Sequence, residues 1–96
     1  MIQKGQLLAI FNSAHRVMKA ENILKKGGHA ILLIPAPRAL STDCGLAILY
    51  NGEINESILQ VLASEKLLPV LIYRKRSDAE YGVFWSNDTT ATEDTA

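Results

Sequence analysis

Leu7-Leu8-Ala9-Ile10-Phe11 is an unbroken apolar run, long enough for a strand and too short for a helix. Asn12 and Ser13 follow, and either suits a helix N-cap. From Ala14 the run becomes a stripe. Ala14, Val17, Ala20, Ile23 and Leu24 recur at helical spacing, while His15, Lys19, Asn22 and Lys26 fall elsewhere. Gly27-Gly28 ends this helix, with lysines in its last turn where the helix dipole favours cations. Ala30-Ile31-Leu32-Leu33-Ile34 reads as a second strand, stopped by Pro35 and Pro37. Residues 35–45 form a loop, and Leu46-Ala47-Ile48-Leu49-Tyr50 reads as a third strand. After an Asn51-Gly52 turn, Ile54, Ile58, Val61 and Leu62 mark a second amphipathic helix. Pro69 ends it, and Val70-Leu71-Ile72-Tyr73 is the fourth strand.

This order, β-α-β-β-α-β, predicts an α+β fold of the ferredoxin-like type, a four-stranded antiparallel sheet with two helices on one face. Strands 1 and 2 are expected to run parallel across the first helix. The 35–45 loop then emerges at the same end of the sheet as the N-terminus of that helix. Strands 1, 2 and 4 are apolar on both sides, whereas a sheet with helices on one face needs only one apolar side. A second copy of the chain is expected to cover the other side as a homodimer. The competing cover is Tyr81-Gly82-Val83-Phe84-Trp85 folding back.

Charge divides the chain. The 96 residues carry ten basic and ten acidic side chains. Residues 1–76 hold all ten bases and five acids, a net +5, and residues 77–96 hold five acids and no base. The expected domain is 1–76, followed by an acidic C-terminal tail over 77–96. Ser86 to Ala96 is polar and acidic, so at least 86–96 is expected to be disordered. The bases form no stripe with interleaved aromatics, which argues against a nucleic-acid partner. No apolar run is long enough to span a membrane. No secretory apolar region opens the chain, which predicts a cytoplasmic protein. One cysteine, Cys44, leaves no intrachain disulfide and no multi-cysteine metal site, and no cofactor motif is present.

The sharpest chemical candidate is therefore Cys44 in the loop. Near a helix N-terminus a thiolate is stabilised by unpaired N–H groups and the dipole. Arg38 adds a fixed positive charge, and Gly45 lets the backbone turn closely after the sulfur. The same elements also make a pocket for a small anion, built from the Ser13, Ser41 and Thr42 hydroxyls with Arg38. Asp43 opposes the thiolate unless it points away. His15 in the first helical turn is a candidate base, or simply an exposed helix residue. His29 reads as structural. Against all this, a free cysteine is often a small buried hydrophobe. Cys44 as a packing residue in a non-catalytic ligand-binding or protein-binding regulatory module is the alternative reading, and a redox sensor linking two chains is a third.

Several strings are shared with a known family. Ser13-Ala14-His15, Lys19-Ala20-Glu21, Leu24-Lys25 and Gly28 lead to Leu33-Ile34-Pro35-Ala36-Pro37-Arg38 and Ser41-Thr42-Asp43-Cys44-Gly45-Leu46-Ala47. Together they resemble the selenium/sulfur carrier-like family of small bacterial domains, over roughly residues 7–74. The Pro-x-Pro-Arg…Ser-x-x-Cys-Gly string is the most specific part. Arg16 and Val17 stand where members often have His and Ala. The resemblance implies that Cys44 carries sulfur or selenium as a persulfide or selenosulfide. It implies donor and acceptor proteins, such as a cysteine desulfurase, and a carrier or sulfurtransferase-like role rather than a turnover enzyme.

Overall fold

The computed structural model describes residues 5–37, 40, 45–77 and 80–87. Strand β1 spans Gln6–Ile10, helix α1 Ala14–Lys26, β2 Ile31–Pro35 and β3 Leu46–Asn51. A single 3-10 turn, Gly52–Ile54, leads into helix α2, Asn55–Ser64, and β4, Leu71–Ser77. The structure adds an element that the hydrophobic pattern does not predict, strand β5 at Glu80–Ser86. The sheet therefore has five strands rather than four, in the order β2-β3-β1-β4-β5, with every neighbouring pair antiparallel.

The reason for the difference lies in the β4–β5 ladder. Two register shifts, between Ile72 and Tyr73 and between Lys75 and Ser77, interrupt it. A bulge places two residues against one and breaks the alternation by which a strand is recognised. Pairing with β5 also carries β4 past Tyr73 through the polar Arg74-Lys75-Arg76. Ser86 closes β5, and the Asn87 N–H donates to the Val70 carbonyl at 3.0 Å. Residues 88–96, on which most of the expected disorder falls, lie outside the described residues.

Successive side chains in β1 alternate between two apolar layers, as the period of a strand requires. Leu7, Ala9 and Phe11 join Val17, Ala20 and Leu24 of α1 and Ile58 and Leu62 of α2. Leu8 and Ile10 join Ala47, Leu49 and Leu40 on the helix-free face, with Tyr73 and Tyr81 against them. Much of the second face is thus closed from within the chain, though not by the whole aromatic segment folding across it. Tyr81 faces this layer, while Trp85 packs with the helix-side layer.

Local chemistry fixes the helix ends. Of the two cap candidates it is Ser13 that acts, its Oγ accepting the Arg16 N–H at 3.1 Å. Ala14, at the edge of the predicted stripe, is exposed. Gly28 takes the left-handed conformation after α1, φ +82°, and the Gly28 N–H donates to the Lys25 carbonyl. On the surface of α1 the Lys25 ammonium lies 3.0 Å from the Glu21 carboxylate.

Tyr50 is 2% exposed, and its hydroxyl donates to Asn55 Oδ1 at 2.7 Å, tying β3 to the start of α2. Burial disfavours the phenolate and pushes the Tyr50 pKa above its ordinary value. A folded-state pKa raised above the unfolded one adds stability that is complete below the unfolded value and is lost as pH rises. The loss should begin near pH ~10 at a slope approaching about 1.4 kcal/mol per pH unit. In Tyr50→Phe this alkaline component should vanish, at a cost of about 1 kcal/mol at neutral pH for the missing hydrogen bond. Urea titrations of both proteins across that pH range measure it. Parallel pH curves would exclude Tyr50 as the source.

Candidate functional site

Three strand ends meet at one end of the sheet. Ile10 of β1 is opposite Ala47 of β3, Ile34 of β2 is opposite the same Ala47, and Pro35 is opposite Leu46. The chain leaves β1 there to enter α1 through Ser13, and leaves β2 there to enter the 36–45 segment. The ends of the loop and the N-terminus of α1 therefore share this end of the sheet, as the crossover argument predicts.

The described parts of the loop are tied down. The Ala36 N–H donates to the Gly45 carbonyl at 2.9 Å, so the segment departs and returns side by side. The Leu40 N–H donates to the Pro37 carbonyl at 3.0 Å. The Leu40 side chain is 9% exposed and packs in the helix-free layer with Ile10 and Ala47, where Ala36 also contacts the layer. A leucine inside a Pro-flanked polar loop is easily passed over in the sequence. Its signal is that it is the largest apolar side chain between Pro37 and Gly45.

Gly45 has φ +73°, a left-handed conformation that a side chain strains even though open space surrounds it. The role assigned to Gly45 in the sequence thus has a backbone reason: the chain turns there, directly after Cys44, to enter β3. Ser13 is at the site end but already employed, since its Oγ caps α1. A hydroxyl accepting one hydrogen bond keeps its own proton to donate. His15 is exposed on the first turn of α1. Arg16, which the sequence reading left without a role, donates from Nη2 to the Lys66 carbonyl at 2.9 Å. That bond ties α1 to the α2–β4 connection, where Lys66 has φ +59°.

Cys44, Arg38, Ser41 and Thr42 lie outside the described residues. Among the described residues no three His, Asp or Glu side chains come together as a metal site. Nor is any helix among them long and apolar enough to cross a membrane.

Comparison with known families gives one match. The family model described as Putative Se/S carrier protein-like covers residues 6–74. That span exceeds half of the chain, runs from β1 into β4 and contains the entire 35–45 loop. The chain belongs to this family. No curated protein and no solved structure matches it.

Proposed function

We propose that this chain carries sulfur or selenium on Cys44. The observation that carries the reading is the family match across the loop that holds the chain's single cysteine. The chemistry agrees with it. A carrier accepts a sulfur(0) equivalent by attack of a thiolate on a donor persulfide, and the donor's own thiolate leaves. It needs one accessible sulfur and no resolving cysteine if another protein takes the cargo away. A loop fixed at its stem by Ala36 and Gly45 and opening beside a helix N-terminus suits that task. Arg38, Ser13, Ser41, Thr42 and the backbone at Gly45 would stabilise the anion, with His15 at the margin. The ferredoxin-like reading of the fold is supported by its first four strands, which run β4-β1-β3-β2. A cytoplasmic setting and a homodimer across the helix-free face belong to the same reading, and Leu32 is exposed on that face.

Intact mass spectrometry tests it after incubation with a cysteine desulfurase and cysteine. The wild-type chain should gain the mass of one sulfur atom, dithiothreitol should remove it, and Cys44→Ser should gain nothing. An equal adduct on Cys44→Ser, or none on the wild type, ends the proposal. Light scattering on the same sample reads the assembly, and a monomer mass removes the homodimer.

A further inference from the structure

At the other end of the sheet, β4 and β5 enclose an open recess of about 570 Å³. It is lined by Gly5, Arg74, Lys75, Arg76, Gly82 and Phe84, among others. Leu7 is opposite Arg74 and belongs to the helix-side layer, so Arg74 faces that side. Gly82 is opposite Arg74 on β5. A Cβ built at Gly82 would collide with the Arg76 guanidinium, so Arg76 lies over the glycine on the same side as Arg74. Residues two apart in a strand share a face, so Arg74 and Arg76 serve one recess together, with Gly82 leaving room for the Arg76 side chain.

The Arg74 guanidinium sits 5.0 Å from the centre of the Phe84 ring, which orients its planar fork. Among the described residues, neither the Arg74 nor the Arg76 guanidinium has a carboxylate partner. No acid lines the recess among those residues. A second recess of about 350 Å³ adjoins it and shares Gly5, Arg74 and Phe84. Leu7, Asn51, Gly52 and Glu53 complete that second recess; Glu53 shares it with Arg74 without forming an ion pair, and it does not line the larger recess, where both guanidiniums stand.

From this arrangement we infer that the β4–β5 face binds a small phosphorylated ligand with a planar ring, of the size and class of a nucleoside diphosphate. Two converging guanidiniums match phosphate oxygens in geometry and charge. Recesses of this size hold ligands of a few hundred daltons. The phosphates occupy the larger recess, and the ring lies along Phe84 into the smaller one beside Leu7 and the Asn51 side chain. The site is separate from the Cys44 loop. Arg74 pairs near the start of β1 and the loop stem flanks its end, roughly 15 Å along the strands.

Isothermal titration of the full chain with ADP, pyrophosphate and adenosine tests the assignment. ADP should bind more tightly than either part, and its affinity should fall steeply from low to half-molar salt. Arg74→Gln and Arg76→Gln should each weaken ADP about tenfold. Gly82→Ala leaves the charge unchanged but displaces Arg76, and it should weaken ADP as well. Both arginines are exposed, so thermal unfolding should confirm that these variants fold like the wild type. Adenosine binding as tightly as ADP would overturn the inference. So would ADP binding that Arg76→Gln leaves intact, the absence of ADP binding at millimolar concentration, or affinity confined to an oligonucleotide.

Discussion

Phe11→Ala should remove about 3–5 kcal/mol of stability, the largest loss expected from a single truncation in this chain. Phe11 is 1% exposed and belongs to the helix-side layer that includes Val17, Ala20, Leu62 and Ile72. It lies between the last residue of β1 and the α1 cap, so neither neighbouring element can shift freely to fill its volume. A domain of this length has roughly 5–15 kcal/mol in total. The variant should therefore lose a large share of it and melt about 15–30 °C lower. Urea titration followed by far-ultraviolet circular dichroism gives the difference. Phe11→Leu, which keeps most of the volume, should cost much less. If Phe11→Ala lost under about 1 kcal/mol, the packing of that layer would have to be reconsidered.

The second large effect is expected at Leu40. Truncation to alanine should cost about 2 kcal/mol, the lower end for a buried leucine, because a loop collapses onto the gap more readily than a strand does. The more informative readout is Cys44. If Cys44 is a carrier thiolate held by its surroundings, releasing the loop removes that stabilisation. Its alkylation at neutral pH should then slow about tenfold, toward the behaviour of a free thiol. If Cys44 only packs, the same release exposes it and alkylation should speed up. The direction of the change separates the two readings of the cysteine, and a faster reaction rejects the carrier reading. Leu40→Met, which retains the apolar volume, should keep the wild-type rate.

The hydrophobic pattern reveals β1, β3 and both helices because their packing is regular. In β1, Leu7, Ala9 and Phe11 alternate with Leu8 and Ile10, and both sets are buried. A continuous apolar run is the mark of such a strand. In α1, Val17, Ala20 and Leu24 are buried at the helical period, as predicted. The fifth strand escapes because the Tyr81–Trp85 segment shares its sequence neighbourhood with an acidic tail, and because bulges break its alternation. At the loop, the stem and the glycine are legible, since Pro35 and Gly45 are backbone signals. The burial of Leu40 is not, because it depends on a sheet face that exists only after the strands pair. Likewise, Arg74 and Arg76 read as scattered charge until β5 stands beside them.

The central position of β1 bears on the order in which the chain can fold. Leu7 is matched to Tyr50 on one side and to Arg74 on the other. The strand that comes first in sequence among the five is therefore among the last to be fully paired. Its Leu8 and Ile10, which end in the helix-free layer, have no complete shelter until β4 pairs beside them. Contacts this distant in sequence slow folding, since the chain must close long loops before they form. Until β4 docks, the apolar Leu7–Phe11 run stands without part of its final cover.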